Sequence, residues 1–169
     1  MIHFKSCWSP CFWYDNVRDG SMAVATYSLT MSVCLITYMS YIMLGGDSSQ
    51  LYLPFFETNV DGSLQGAGGF TIFLLSVILL FSLLLILGVA TDIRGFILPW
   101  LVAMLVVVGF QAIFGLWLIF GYYIYLEVVF AASCNWLWMG VNIYCMLVVR
   151  SHYRNVHKLQ SPDIEYLNY

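Results

Sequence analysis

Residues 70–91 read FTIFLLSVILLFSLLLILGVAT, 22 positions without a charge or a proline. Rising 1.5 Å per residue as a helix, the stretch is about 33 Å long, enough to cross a bilayer core of about 30 Å. A water-soluble protein could hide such a run only inside a large core, and a chain of 169 residues does not build one. The stretch predicts a membrane span, and so an integral membrane protein.

The composition agrees. Hydrophobic residues make up 62% of the chain and charged residues 9%, against about 25% charged in soluble domains. Aromatic residues reach 18%, as expected when rings lie in or beside a bilayer. A net charge of −3 drawn from so few charges says little about partners. No basic cluster is large enough to grip nucleic acid, which removes that partner class.

Upstream of this span, residues 45–69 form a loop carrying Asp47, Glu57 and Asp61 and no Lys or Arg. It contains no glycosylation sequon, and its LYLPFF centre is apolar enough to dip into the interface. Before it, residues 21–44 give a more polar span, and residues 1–20 a short head with acids and aromatics. The head lacks the layout of a cleaved signal peptide, so the first span is expected to be retained as a signal anchor. Downstream, the turn at residues 92–95 is so short that a third span, 96–120, must return beside the second. Pro99 is placed in the first turn of that span, where its missing amide donor costs little. Tyr122, Tyr123 and Tyr125 then form an interfacial belt, with Glu127 at the membrane boundary. A fourth span covers 128–149, and 150–169 reads as a polar tail, disordered beyond its first turn.

Charge orders these spans. Lys5, Arg18, Arg94, Arg150, Arg154 and Lys158 all fall on one side of a four-span arrangement. The positive-inside rule then makes both termini and the 92–95 turn cytoplasmic. The expected fold is all-α, an integral membrane four-helix bundle.

Polar residues in the spans are candidates for helix packing. Thr26, Thr30, Thr37 and Ser40 keep to one face of the first span. That stripe reads either as hydroxyls bonded to their own helix or as a face buried against a neighbour. Gln111, with Gly115 one turn on, and Asn135 and Asn142, seven residues apart, could form an inward seam worth about 0.6 kcal/mol per contact. No Asp, Glu, His, Lys or Arg lies deep in any span, which argues against a proton relay, an ion-coupled transporter or a charge-lined pore.

Enzyme signatures are missing: there is no phosphate-binding loop, zincin motif or nucleophile elbow. His3, His152 and His157 lack the Cys or acidic companions of a metal site, so neither metal nor cofactor is expected. The cysteines are Cys7, Cys11, Cys34, Cys134 and Cys145, none in the longest polar loop, so a disulfide-stapled ectodomain is not expected. Cys7 and Cys11, close to the first span, are candidates for palmitoylation. In the tail, Tyr153-Arg-Asn-Val156 fits an endocytic sorting pattern. Tyr166 with Asn168 would resemble an SH2-binding site if phosphorylated.

Cys7 and Cys11 followed by Val17-Arg18-Asp19-Gly20, the stretch Gly95-Phe96-Ile97-Leu98-Pro99, and a last span running through Tyr144-Cys145 to Val149-Arg150-Ser151-His152-Tyr153 together resemble a divergent four-span family. It comprises the lysosome-associated protein transmembrane group and the related insect pasiflora-like septate-junction proteins. The resemblance implies a non-enzymatic membrane protein. The chain lacks the proline-proline-x-tyrosine tail motifs of the lysosomal group and has almost no loop between spans three and four, both of which favour the insect branch. It also lacks the cysteine patterns of claudins and tetraspanins.

The expected role is carried by protein–protein or protein–lipid contacts, in septate-junction assembly or membrane organisation, at the plasma membrane or a cell junction. The alternative is an endolysosomal sorting adaptor in endosome or lysosome membranes; a small-molecule transporter or channel subunit is the weakest reading. The expected partners are the lipid bilayer and other membrane proteins, in a homo- or hetero-oligomer.

Overall fold

The computed structural model describes residues 16–44, 60–121 and 126–160. Within them lie four helices, α1 (Val17–Met43), α2 (Val60–Thr91), α3 (Arg94–Gly121) and α4 (Leu126–Gln160). Helices adjacent in sequence pack side by side, and α1 closes onto α4, giving an all-α four-helix bundle. Each helix is long and apolar enough to span a bilayer, and between 17% and 28% of its most apolar stretch is buried in the protein. Phe73, Leu80, Leu105, Phe110 and Ile113 are among the large apolar side chains left exposed. Lipid is the solvent such a surface requires, and the chain is an integral membrane protein.

The helix ends follow from local chemistry. Asn16 caps α1, its side chain accepting from the Arg18 amide at 3.2 Å, and Asp19 in the first turn complements the helix dipole. α2 begins at Val60, ten residues before the apolar run, in a glycine-rich segment that would be a poor helix in water. Packing explains part of this extension. A Cβ at Gly68 would lie 2.8 Å from Met43 Sδ, so the glycine permits close contact between α2 and the end of α1.

α2 ends in a left-handed residue, Asp92 at φ 54°, and the Ile93 amide bonds back to the Gly88 carbonyl at 3.1 Å. This is a Schellman closure, in which the amide beyond the left-handed residue satisfies an orphan carbonyl of the last turn. Gly88 has a second role, since a Cβ there would meet Ile97 and Phe96 at 3.0 Å. α3 can therefore close onto α2 directly after the turn.

Three boundaries differ from the sequence expectation. The start of α2 at Val60 makes the last ten residues of the expected 45–69 loop helical. α3 starts at Arg94, so Pro99 lies beyond its first turn, and the carbonyl one turn back belongs to exposed Gly95 near the membrane boundary. α4 continues through the expected tail to Gln160, because Val149, His152 and Val156 at spacings of three and four extend its buried stripe.

The core is unevenly placed. Val24, Ala25, Leu85, Val89, Ile97 and Trp100 join Met104, Cys145, Val148, Val149 and Val156 in one cluster to which all four helices contribute, near the α2–α3 turn. Toward the other end, Leu118, Val128 and Ala132 form a cluster between α3 and α4 alone. The buried positions of α1 stop at Ser32. The bundle is thus two hairpins, α1–α2 and α3–α4, fastened together mainly in the half that carries the turn.

Candidate functional site

Between residues 20 and 44, 70 and 91, 96 and 120, and 128 and 149 there is no Asp, Glu, His, Lys or Arg. The polar chemistry within the membrane is therefore that of hydroxyl, amide and indole groups. The structure gathers these into two sets, and a third, charged set lies at the end of the bundle.

The first set joins three helices. Trp100 Nε1 of α3 donates to Ser28 Oγ of α1 at 3.3 Å, and Ser28 and Ser82 of α2 share a hydrogen bond at 2.8 Å. Ser82 Oγ also donates to the Ile78 carbonyl at 2.8 Å, so its proton is taken and Ser28 is the donor in the shared bond. All three side chains are buried, and the indole N–H, a costly group to leave unpaired in hydrocarbon, is satisfied.

The second set joins α3 to α4. Asn142 Nδ2 donates to Gln111 Oε1 at 2.9 Å, and Asn135 Nδ2 donates to the Gln111 backbone carbonyl at 2.8 Å. One glutamine thereby receives two asparagines through different oxygens. Approach is close because Gly115 has no side chain: a Cβ there would collide with the Trp136 indole.

Thr26, Thr30 and Thr37 are exposed, and each hydroxyl bonds a carbonyl of its own helix, at Ala23, Thr26 and Val33 respectively. The buried face of α1 is instead lined by Gly20, Ser21, Ala25, Ser28 and Ser32. A readable sign of it was the small-residue spacing 21, 25, 28, 32, the pattern that lets membrane helices approach closely. Ser28, Ser82 and Trp100 were not singled out in the sequence.

The third set lies at the α2–α3 turn. Arg18 Nε and Nη2 donate to the Val89 and Ala90 carbonyls at 3.3 and 3.1 Å, capping the carbonyl end of α2, and Nη2 lies 3.7 Å from Asp92 Oδ2. Gln160 Nε2 donates to the Asp92 backbone carbonyl at 2.7 Å. Buried His152 presents Nε2 3.9 Å from Asp92 Oδ1, and that nitrogen has no hydrogen-bond partner. His152 lies three residues past the apolar run ending at Val149. Burial pushes its pKa below the ordinary 6.5; Asp92 opposes the shift and Arg18 adds to it. At neutral pH the ring is uncharged, and the turn is held by α1 and α4 together.

Of the tail signals, Tyr153 is half-buried on α4 and Val156 is 2% exposed. A partner reading Val156 would have to unwind the end of the helix. Cys7, Cys11, Tyr166, Asn168, the loop at 45–59 and the tyrosine belt at 122–125 lie outside the described residues, as does the Glu127 side chain. Among the described residues no group of three or more His, Cys, Asp or Glu could hold a metal ion.

Residues 72–157, just over half of the chain, match the model of a family described as a domain of unknown function (DUF4728). The match runs from α2 through the α2–α3 turn and both polar partners of Gln111 to the extended end of α4. No curated protein and no solved structure shows a significant match.

Proposed function

The chain belongs to the family described as a domain of unknown function (DUF4728), and from that premise we propose a non-enzymatic multi-pass membrane protein that organises other membrane components. It acts through protein–protein or protein–lipid contacts, with both termini and the α2–α3 turn cytoplasmic and the segment before α2 on the opposite face. The observation that carries this reading is the use of the intramembrane polar groups. Ser28, Ser82 and Trp100, and likewise Gln111, Asn135 and Asn142, are bonded to one another across helices. Such bonds fix a scaffold, whereas a transport pathway needs polar groups turned toward a passing substrate.

Within that class, assembly of a septate-type junction is favoured over endolysosomal sorting. The resemblance to pasiflora-like proteins supports the first, and the burial of Val156 removes support from the second. Imaging the untagged protein by antibody in a polarised epithelium tests the choice. A lateral belt is expected, and confinement to vesicles bearing lysosomal markers would overturn it. Orientation has a separate test, since epitopes at both termini should be reached only after permeabilisation.

A further inference from the structure

We propose that the exposed ridge of α4 formed by Arg150 and Arg154, and continued by Lys158, docks the headgroup of a polyphosphoinositide. The proposal rests on the cytoplasmic placement of this end, where anionic lipids are concentrated.

The ridge has a rigid support. Val149, His152 and Val156, at 0%, 5% and 2% exposure, hold one side of α4 against the bundle, and Gln160 fastens its last turn to the Asp92 carbonyl. Arg150, Arg154 and Lys158 recur every four residues and stay on one ridge, exposed, with rungs about 6 Å apart along the axis. A flexible basic tail would satisfy the positive-inside rule equally well by count. A helix presents the same charges at fixed depths.

Those depths fit one class of lipid. The apolar run of α4 ends at Val149, and the headgroup layer beyond the hydrocarbon is about 5–7 Å thick on each side. Arg150 therefore lies at the hydrocarbon edge, Arg154, about 7.5 Å beyond Val149, at the aqueous side of the headgroup layer, and Lys158 about 6 Å farther out in water. A headgroup with a single phosphodiester, such as phosphatidylserine, offers its phosphate at one level. An inositol ring carrying phosphomonoesters offers a diester at the lower level and further phosphates above it, matching successive rungs.

Among the described residues the two arginines also lack an acidic partner. No Asp or Glu occurs between residues 128 and 160. Asp92, the acid on the facing turn, is engaged by Arg18, whose guanidinium is further occupied with the end of α2. Among the described residues neither Arg150 nor Arg154 forms an ion pair, and Arg150 can extend its guanidinium outward from the hydrocarbon edge.

The test uses the full chain purified in a neutral detergent, titrated with dioctanoyl phosphatidylinositol 4,5-bisphosphate and followed by native mass spectrometry. Binding should weaken roughly thirtyfold in the double variant Arg150→Gln/Arg154→Gln, about fivefold for each cation lost. Arg150→Lys/Arg154→Lys should retain most of the binding, and Arg94→Gln should stay within about twofold of the parent. Unchanged binding in the Gln double variant would overturn the proposal. So would equal binding of dioctanoyl phosphatidylserine, or a soluble inositol phosphate that binds as tightly as the lipid. Because the measurement is made in detergent, it does not depend on orientation. Labelling an Asn155→Cys variant with an impermeant maleimide in intact cells tests that premise by itself: labelling from outside would overturn the cytoplasmic placement and leave the binding result standing.

Discussion

At the scale of single residues, the bundle depends on places where a side chain is missing as much as on those where one is present. Gly115 leaves room for the Trp136 indole, while Gly109 on the same helix faces open space. Gly115→Leu is expected to destabilise the protein by about 1–3 kcal/mol, as overpacking does. Gly109→Ala should be neutral to stabilising, by up to about 1 kcal/mol. Thermal unfolding in detergent, read by loss of monodisperse protein, distinguishes the two. Trp100 separates packing from hydrogen bonding. Trp100→Phe keeps most of the ring and removes the donor to Ser28, which should cost about 0.6 kcal/mol. Trp100→Ala empties a buried site and should cost about 3–5 kcal/mol. Equal losses would mean that the Trp100–Ser28 bond, and not the ring, holds α3 to α1. Gln111→Leu should lower abundance modestly and leave liposome permeability to small solutes unchanged. A flux that followed this residue would point to transport.

At the scale of elements, the end of α4 carries a pH dependence whose sign follows from His152. Burial depresses the pKa of this imidazole, so as pH falls through about 6.5 the unfolded chain takes up a proton that the folded protein resists. Stability is therefore full above that pH and declines as the medium is acidified toward the lowered folded value. Asp92 and Arg18 face the ring from the turn and from α1, and exposed Arg154 and His157 lie nearby in sequence on its own helix. The apparent melting temperature should drop between pH 7 and pH 5.5, and His152→Gln should flatten that dependence. The elements themselves were legible to different degrees. α2 and α3 announced themselves by unbroken apolar runs bounded by Asp92 and Arg94. The last three turns of α4 did not, because Val149, His152 and Val156 are interleaved with Arg, Ser and Asn that read as a tail. Nor did the start of α2 at Val60, where contact with Met43 at Gly68 counters the low helix propensity of glycine. Serine and threonine in α1 look alike as letters. Sterics separates them: serine allows a neighbouring helix to approach, while threonine back-bonded to its own helix presents a methyl group to lipid.

At the scale of the whole molecule, the fastening of the two hairpins near the turn predicts a gradient of order. Spin labels at Leu35 of α1 and Ile113 of α3, in the half where packing stays within hairpins, should give a broad distance distribution. Labels at Ala23 and Leu98, near the shared core, should give a narrow one, and equal widths would contradict the asymmetry. The turn that anchors the shared core also bears on how the protein is made. Asp92 and Ile93 leave almost no chain between α2 and α3, and these two helices are more apolar than α1 and α4. A turn this short holds α3 beside α2 as soon as both have left the ribosome, so the two form one apolar hairpin in the bilayer. The Schellman closure at Asp92 is the stitch of that hairpin, and Arg18 and Gln160 tie the less apolar outer helices to the same point.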